Sequence, residues 1–392
     1  MNDMISKMTT LSRIVRIVAL TLLLSSCESC GRQTKTKVVE EQGPHYSQIV
    51  NIYVENSGSM KGYFSGDSQI KDIIKVYYDR IGESQSDRDT ITLNYINTQI
   101  ENSSEGIKEY LMSCQKKCVA AYSKIDDILR MAMEGINDST VNIVISDYSF
   151  TSNSGSFSMA QSDITKSFTQ HLKKDTNLSI AIIKYMSDFN GKFFPGGIPT
   201  KKSMPFYLWI FGNERQVKRI VNAPIGLANC GMLILQPSQD IVPTIVLKKG
   251  QPARMVMDNS IIVKEWDKDR NRDATTYSTT IELNLSKIIL EKKDICNTEN
   301  YSVTPGYRIA SIEEKEKDIY VYHISTSKPA PGVVSIEYTQ RDFPEWVEKS
   351  NYAGIGVPKD STTLGVKYLI SGVYDAYHNL SNKVFETKIT LK

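Results

Sequence analysis

Short apolar runs alternate with helical periodicities along the first part of the chain, from about residue 47 to residue 222. Runs rich in β-branched residues predict five strands, at 48–54, 90–96, 141–145, 178–183 and 206–211. Apolar residues at helical spacing predict helices at about 68–82, 125–136, 164–172 and 214–221. A Gly/Pro-rich insertion near 190–204 separates the last two predicted strands. This alternation predicts an α/β domain over residues 47–225, with a doubly wound, mostly parallel sheet and helices on both faces.

The pattern changes beyond about residue 230, where turn residues separate short apolar runs. Strands are predicted at 232–235, 244–247, 254–257, 279–285, 318–323, 333–338 and 384–391. One segment departs from this pattern, because apolar residues from Val366 to Tyr377 recur at helical spacing. Residues 230–392 are therefore predicted to form a β-rich, sandwich-like C-terminal domain.

The first 26 residues have the features of a secretory signal. Basic residues precede an apolar run at 17–24, which is too short to span a bilayer of about 30 Å. The exit of this run, Leu24-Ser25-Ser26-Cys27, resembles a bacterial lipobox, which implies that Cys27 is lipidated and becomes the mature N-terminus. Residues 27–46 are polar and are predicted to be a tether. An ordinary signal peptide or a membrane anchor is the alternative.

This N-terminus predicts a location in a bacterial cell envelope. Several acyl chains hold a protein on a membrane almost permanently, so the expected state is lipid-anchored. The outer membrane is the favoured membrane, and the sequence leaves open whether the protein faces the periplasm or the cell surface.

The charge balance and the cysteine content argue against two classes of protein, nucleic-acid-binding proteins and disulfide scaffolds. The 47 Lys and Arg residues nearly balance the 44 Asp and Glu residues, and no polybasic run is present, so a nucleic-acid partner is not predicted. Six cysteines in 392 residues do not make a disulfide scaffold. Cys114 and Cys118 are four residues apart, which leaves open either a disulfide or two free thiols.

The first predicted strand ends in a loop that carries candidate ligands for a hard cation. Glu55, Ser57 and Ser59 supply a carboxylate and two hydroxyls at alternate positions. Asp147 follows another predicted inner strand, so it is expected at the same edge of the sheet. Ser123 lies just before a predicted helix. Oxygen ligands of this kind suit Mg²⁺ or Mn²⁺.

This arrangement resembles the von Willebrand factor A (vWA) domain over about residues 47–222. The metal-ion-dependent adhesion site of that family has the pattern Asp-x-Ser-x-Ser, then Thr, then Asp. The resemblance implies that Ser57 and Ser59 are direct hydroxyl ligands. It also implies that Ser123 takes the place of Thr and that Asp147 is the final acid, acting through water. Glu55 departs from the pattern, and its additional methylene would bring the carboxylate onto the metal itself or displace a water.

The sequence therefore predicts an exported lipoprotein whose vWA-like domain binds a protein partner through a divalent metal. In such domains an acidic residue of the partner completes the coordination of the metal. No enzymatic activity is expected, since the chain has no H-E-x-x-H, Walker A or G-x-S-x-G motif.

Other interpretations of the same residues remain open. The serines also suit helix caps and turns, either in a family fold that has lost its metal or in a different α/β domain. The alternative functions are a metal-free structural or glycan-binding envelope lipoprotein, and a metal-dependent envelope hydrolase.

Overall fold

The computed structural model of the protein describes residues 48–83, 90–150, 156–194, 196–223, 226, 228–245, 253–255, 261–263, 267–268, 277–339, 342–354 and 361–391. The predicted signal peptide, the lipidation site at Cys27 and the predicted tether lie outside the described residues. Residues 46–392 form one compact unit. The helices of the described ranges are α1 Gln69–Glu83, α2 Ile107–Lys117, α3 Ile125–Met133, α4 Phe157–Leu172, α5 Glu214–Val221, α6 Lys292–Ile295, α7 Glu345–Ser350 and α8 Val366–Leu380. None of them is long and apolar enough to cross a bilayer.

The first sheet is mixed, with parallel strands at its centre. Its strands are β1 Ile49–Glu55, β2 Thr90–Ile96, β3 Ile100–Ser103, β4 Thr140–Ser146, β5 Ser179–Phe193, β6 Ile198–Gly212 and β7 Gly231–Leu235. Their order across the sheet is β3-β2-β1-β4-β6-β5-β7. β2, β1 and β4 are parallel, and the flanking strands pair antiparallel with their neighbours. The α/β class is confirmed, whereas parallel pairing is confined to the central strands.

The elements at the centre of this sheet are buried in the patterns that the sequence predicts. All seven residues of β4 are buried, in agreement with its continuous apolar run. The apolar face of α1 is buried as its helical spacing predicts. Val54 of β1 lies opposite Ile145 of β4, so Glu55 and Ser146 reach the same edge of the sheet side by side. The carboxyl ends of the parallel strands thus bring the predicted site residues together.

The hairpin formed by β5 and β6 is much longer than the sequence predicts. The two strands pair along all 15 residues of each, out to Phe193 opposite Ile198. The predicted insertion near 190–204 is therefore wrong, because most of this segment is strand. Gly196 and Gly197 lie in the turn, with φ of 108° and 62°, whereas Gly191 lies within β5 opposite Thr200. The outer part of β6 is largely exposed on both faces, so it lacks the apolar periodicity that marks a strand packed on a core.

Two further sheets share one apolar core in the C-terminal part. The first contains β8 Gln239–Asp240, β10 Ala253–Met255, β11 Ile261–Val263, β14 Tyr301–Val303, β17 Gly332–Thr339 and β20 Lys383–Leu391. The second contains β9 Thr244–Ile245, β12 Asp267–Lys268, β13 Tyr277–Asn284, β15 Tyr307–Glu316 and β16 Ile319–Thr326. Buried residues of β13 and β16 join those of β17 and β20 in a single cluster. The described residues therefore contain the predicted sandwich-like region.

Two elements beyond residue 230 belong with the first sheet rather than with the sandwich, β7 as its edge strand and α8 as a helix packed on its core. β7 pairs with β5 at the edge of that sheet, so the prediction that 232–235 belongs to the sandwich is wrong. The N–H of Cys230 donates to the carbonyl of Lys184 at 2.8 Å, so the chain lies against the edge of β5 directly before β7 begins. The helix predicted from the spacing of apolar residues from Val366 to Tyr377 is confirmed as α8, which extends to Leu380, and its apolar face packs with α4 on the core of the first sheet. A short parallel pair, β18 Asn351–Tyr352 and β19 Thr363–Leu364, precedes α8. The domain boundaries at 47–225 and 230–392 stay predictions.

Substitution by alanine is expected to have opposite effects on stability at two helical glycines, Gly372 in the contact of α8 with α4 and Gly82 in α1. A Cβ at Gly372 would lie 2.8 Å from the carbonyl oxygen of Gln161 and from Ile164. We expect Gly372→Ala to lower the free energy of unfolding by about 1–3 kcal/mol, because the helices cannot separate freely. Gly82→Ala in α1 is the matched control, since its Cβ would meet only Ile91 at 3.8 Å and the change gains up to about 1 kcal/mol of helix propensity. Urea denaturation measures both variants, and equal effects would contradict the close packing.

Candidate functional site

The loop after β1 is fixed by backbone hydrogen bonds to residue 120. The N–H of Gly58 donates to the carbonyl of Ala120 at 2.8 Å, and the N–H of Ala120 donates to the carbonyl of Asn56 at 3.1 Å. Ser57 and Ala120 thus form a parallel bridge outside the sheet. These bonds determine the positions from which the side chains of Ser57 and Ser59 project.

The carboxylate of Glu55 is completely buried at the end of β1. One of its oxygens accepts a hydrogen bond from the hydroxyl of Ser123 at 2.5 Å, and the other accepts one from Ser146. The hydroxyl of Ser57 also hydrogen-bonds to this carboxylate. Glu55 therefore joins the loop after β1, the residues before α3 and the end of β4.

Asp147, directly after β4, is the second buried carboxylate of the site. Its Oδ1 accepts a hydrogen bond from the N–H of Ser149 at 2.9 Å, and its side chain is hydrogen-bonded to Ser59. The hydroxyls of Ser57 and Ser59 lie 2.9 Å apart. A continuous set of hydrogen bonds therefore connects Asp147 to Glu55.

The structure brings all five predicted site residues into this one cluster: Glu55, Ser57, Ser59, Ser123 and Asp147. The structure shows that these five residues converge, whereas their role as metal ligands stays a prediction. Sequence reasoning missed Ser146. The signal that could have identified it is its place at the end of a central strand, next to the predicted acid.

Burial perturbs both carboxylates. Loss of solvation, and secondly the negative charge of Asp147, raise the pKa of Glu55 from 4.5 to about 7, against the lowering effect of the serine hydrogen bonds. Burial also raises the pKa of Asp147. No Lys or Arg in the described ranges forms an ion pair with either acid. Two buried acids without a basic partner are stable when protonated or when a cation neutralises them.

The donor set matches the preferences of a hard divalent cation. Every polar side chain of the cluster offers oxygen. Within the described ranges no group of three or more His, Cys, Asp or Glu side chains is placed to hold a metal, so a site here depends on its hydroxyls. Hydroxyls with carboxylates suit Mg²⁺ or Mn²⁺, whereas zinc and copper sites use thiolate or imidazole ligands. The residues present therefore fit the predicted cation.

A small cavity lies beside the cluster. Its volume is about 20 Å³, which is enough for one water molecule or ion. Ser59, Asp147 and Ser149 form part of its wall, and residues of the β5–β6 hairpin and of the segment 362–364 form most of the remainder. Two lining residues, Lys192 and Phe194, have exposed side chains. The cavity therefore connects the acidic cluster with the exposed surface of the hairpin.

The cysteines next to this region are free thiols. Cys114 and Cys118 are buried and unbridged, which decides the alternative that their spacing leaves open. The thiol of Cys118 donates to the carbonyl oxygen of Glu55 at 3.9 Å. Burial raises the pKa of Cys114 to about 12 and also raises that of Cys118. Neither thiol is therefore a reactive thiolate near neutral pH.

Comparison of the chain with protein family models, curated proteins and solved structures gives no match. The vWA resemblance therefore stays a prediction, carried by the loop after β1, Ser123 and Asp147. The structure contributes a separate observation, the convergence of these residues on two buried acids.

Proposed function

We propose that the chain is an exported bacterial lipoprotein, anchored through Cys27, whose vWA-like domain binds a protein partner through Mg²⁺ or Mn²⁺. One observation supports this most strongly. Glu55 and Asp147 are buried among serine hydroxyls, without a basic partner in the described part of the chain. A divalent cation would neutralise both acids. A location in the cell envelope, with the outer membrane favoured, belongs to the same proposal.

The hydrogen bonds of the cluster suit hydroxyl ligands. A serine hydroxyl that donates its proton to a carboxylate keeps its oxygen lone pairs for a cation. Ser57 and Ser123 donate to Glu55 in this way, and Ser59 is hydrogen-bonded to Asp147. These three hydroxyls would hold the cation, while the two acids orient them and supply charge, directly or through water.

The expected group on the partner is a carboxylate. Mg²⁺ is rarely enclosed by protein ligands alone, so positions remain for an incoming oxygen, and a carboxylate adds opposite charge. Lys61 and Lys192 are exposed beside the loop and the cavity, and neither forms an ion pair within the described ranges. Their charges would favour the same acidic partner. Binding of this kind needs no covalent step, and we propose no enzymatic activity.

Acidic peptides test this function. A peptide set that pairs each Asp- or Glu-containing sequence with its Asn or Gln counterpart would be presented to the purified chain in Mg²⁺, Mn²⁺ or EDTA. We expect binding of the acidic members only, and only with metal, because the carboxylate completes the coordination of the cation. Ser59→Ala should lose this binding, whereas Ser65→Ala, a nearby serine outside the cluster, should retain it.

Two results would favour the alternatives. Binding that persists in EDTA would contradict the proposal and support a metal-free structural or glycan-binding protein. Metal-dependent turnover of phosphate or peptide esters would support an envelope hydrolase.

A further inference from the structure

A segment from the far end of the chain, residues 361–365, reaches the cavity beside the acidic cluster. It begins with three consecutive hydroxyl side chains, Ser361, Thr362 and Thr363. Thr362, Thr363 and the following Leu364 line the same cavity as Ser59 and Asp147. More than 200 residues separate the two parts of the chain, so only the fold brings them together.

The backbone on both sides of Thr362 is held firmly. The hydroxyl of Ser361 donates to the carbonyl of Ser203 at 2.6 Å. The hydroxyl of Thr363 accepts a hydrogen bond from Tyr207 at 3.2 Å, and the carbonyl of Leu364 accepts one from the N–H of Phe150 at 2.8 Å. The neighbouring hydroxyls are therefore committed to other groups, and the position of Thr362 is determined by the bonds around it.

The hydroxyl of Thr362 itself has no hydrogen-bond partner among the described residues. The residue is only 8% exposed, so solvent does not replace that partner freely. A buried hydroxyl is stable when it is paired, and Thr362 lines a cavity whose wall also includes the carboxylate of Asp147 and two serines. An oxygen donor in this position is a ligand of the type that Mg²⁺ or Mn²⁺ accepts.

We propose that Thr362 is a further ligand of the cation held by Ser59 and Asp147, acting directly or through a water molecule bound to the cation. This inference rests on the proposed function, because it requires the metal. The cation then links the loop after β1 to the segment that leads into α8. Metal binding therefore restrains residues 361–365 as well as the acidic cluster.

Three single variants test this ligand. Thr362→Val removes the hydroxyl and keeps the shape, Thr362→Ser keeps a hydroxyl, and Thr98→Val makes the same change at an exposed threonine that does not line the cavity. Titration calorimetry with Mn²⁺ on the purified chain should give a Kd raised about tenfold or more for Thr362→Val, and values close to the parent for the other two. In EDTA, Thr362→Val should be at least as stable as the parent, because it removes an unpaired buried hydroxyl.

Hydrogen exchange provides a second readout. Mn²⁺ should increase the protection of backbone amides at 361–365 in the parent, and this increase should be lost in Thr362→Val at saturating metal. If Thr362→Val binds Mn²⁺ with the affinity of the parent and shows the same Mn²⁺-induced increase in protection, Thr362 is not a ligand, although the metal site itself is supported. Absence of Mn²⁺ binding in the folded parent would overturn the proposed function together with this inference.

Discussion

Saturating Mg²⁺ or Mn²⁺ is expected to raise the free energy of unfolding of the chain by about 2.7 kcal/mol when free metal is about 100 times the Kd. The reason is that folding assembles Glu55, Ser57 and Asp147 into one cluster, whereas the unfolded chain holds them apart. Urea denaturation in metal and in EDTA measures the difference. The gain should saturate with metal concentration, as binding to one site requires.

Asp147→Asn separates the charge of this residue from its packing. The variant keeps an oxygen for the N–H of Ser149 and removes one of two neighbouring buried acids, so in EDTA it should be at least as stable as the parent. In saturating metal the order should reverse, because the variant gains little from the cation. Asp138→Asn, at an exposed position, is the control. A full metal gain in Asp147→Asn would contradict the assignment of Asp147 to the site.

In EDTA the folded chain is expected to lose stability as the pH rises from about 5 to about 8. The pKa of Glu55 is raised from 4.5 to about 7 in the folded state by burial and by Asp147. The protonated carboxyl group of Glu55 therefore stabilises the folded chain fully when the pH is below the pKa of Glu55 in the unfolded chain. This stabilisation is lost as the pH rises through the pKa of Glu55 in the folded chain. The shift corresponds to about 3 kcal/mol, which urea denaturation across this range would detect.

Glu55→Gln should remove most of this pH dependence, because the amide does not ionise. Glu109→Gln, an exposed position in α2, controls for the loss of one carboxylate. In the parent, bound Mg²⁺ should oppose the decline, since the cation competes with the proton for the site. A parent whose stability in EDTA is flat between about pH 5 and about pH 8 would contradict the burial of Glu55 as an unpaired acid.

The parts of the fold that could be predicted from sequence have local signals. β1 and β4 are short apolar runs, and the polar residues that follow them lie at the carboxyl edge that parallel pairing brings together. α1 is predicted because its buried positions repeat at helical spacing. The order of strands and loops along the chain is likewise enough to group Glu55, Ser57, Ser59 and Asp147 at one edge of the sheet.

The parts that could not be predicted depend on contacts between distant segments. The outer part of β6 is largely exposed and has no apolar period, so its sequence resembles a loop, although β5 opposite it alternates buried and exposed residues out to Phe193. β7 has an ordinary strand pattern that does not specify which sheet it joins. Nothing in the sequence predicts that Thr362 lies at the cavity. Its place there follows from hydrogen bonds that its neighbours make to Ser203, Tyr207 and Phe150.

A calorimetric titration of the purified chain with Mn²⁺ at about pH 8, above the folded pKa of Glu55, tests the central claim most directly. The proposed site predicts one bound Mn²⁺ per chain in the parent and no detectable binding in Ser57→Ala or Asp147→Asn, with both variants folded. A folded parent that binds no Mn²⁺ at millimolar concentration would contradict the metal site. Binding of equal affinity in all three proteins would place the metal elsewhere in the molecule.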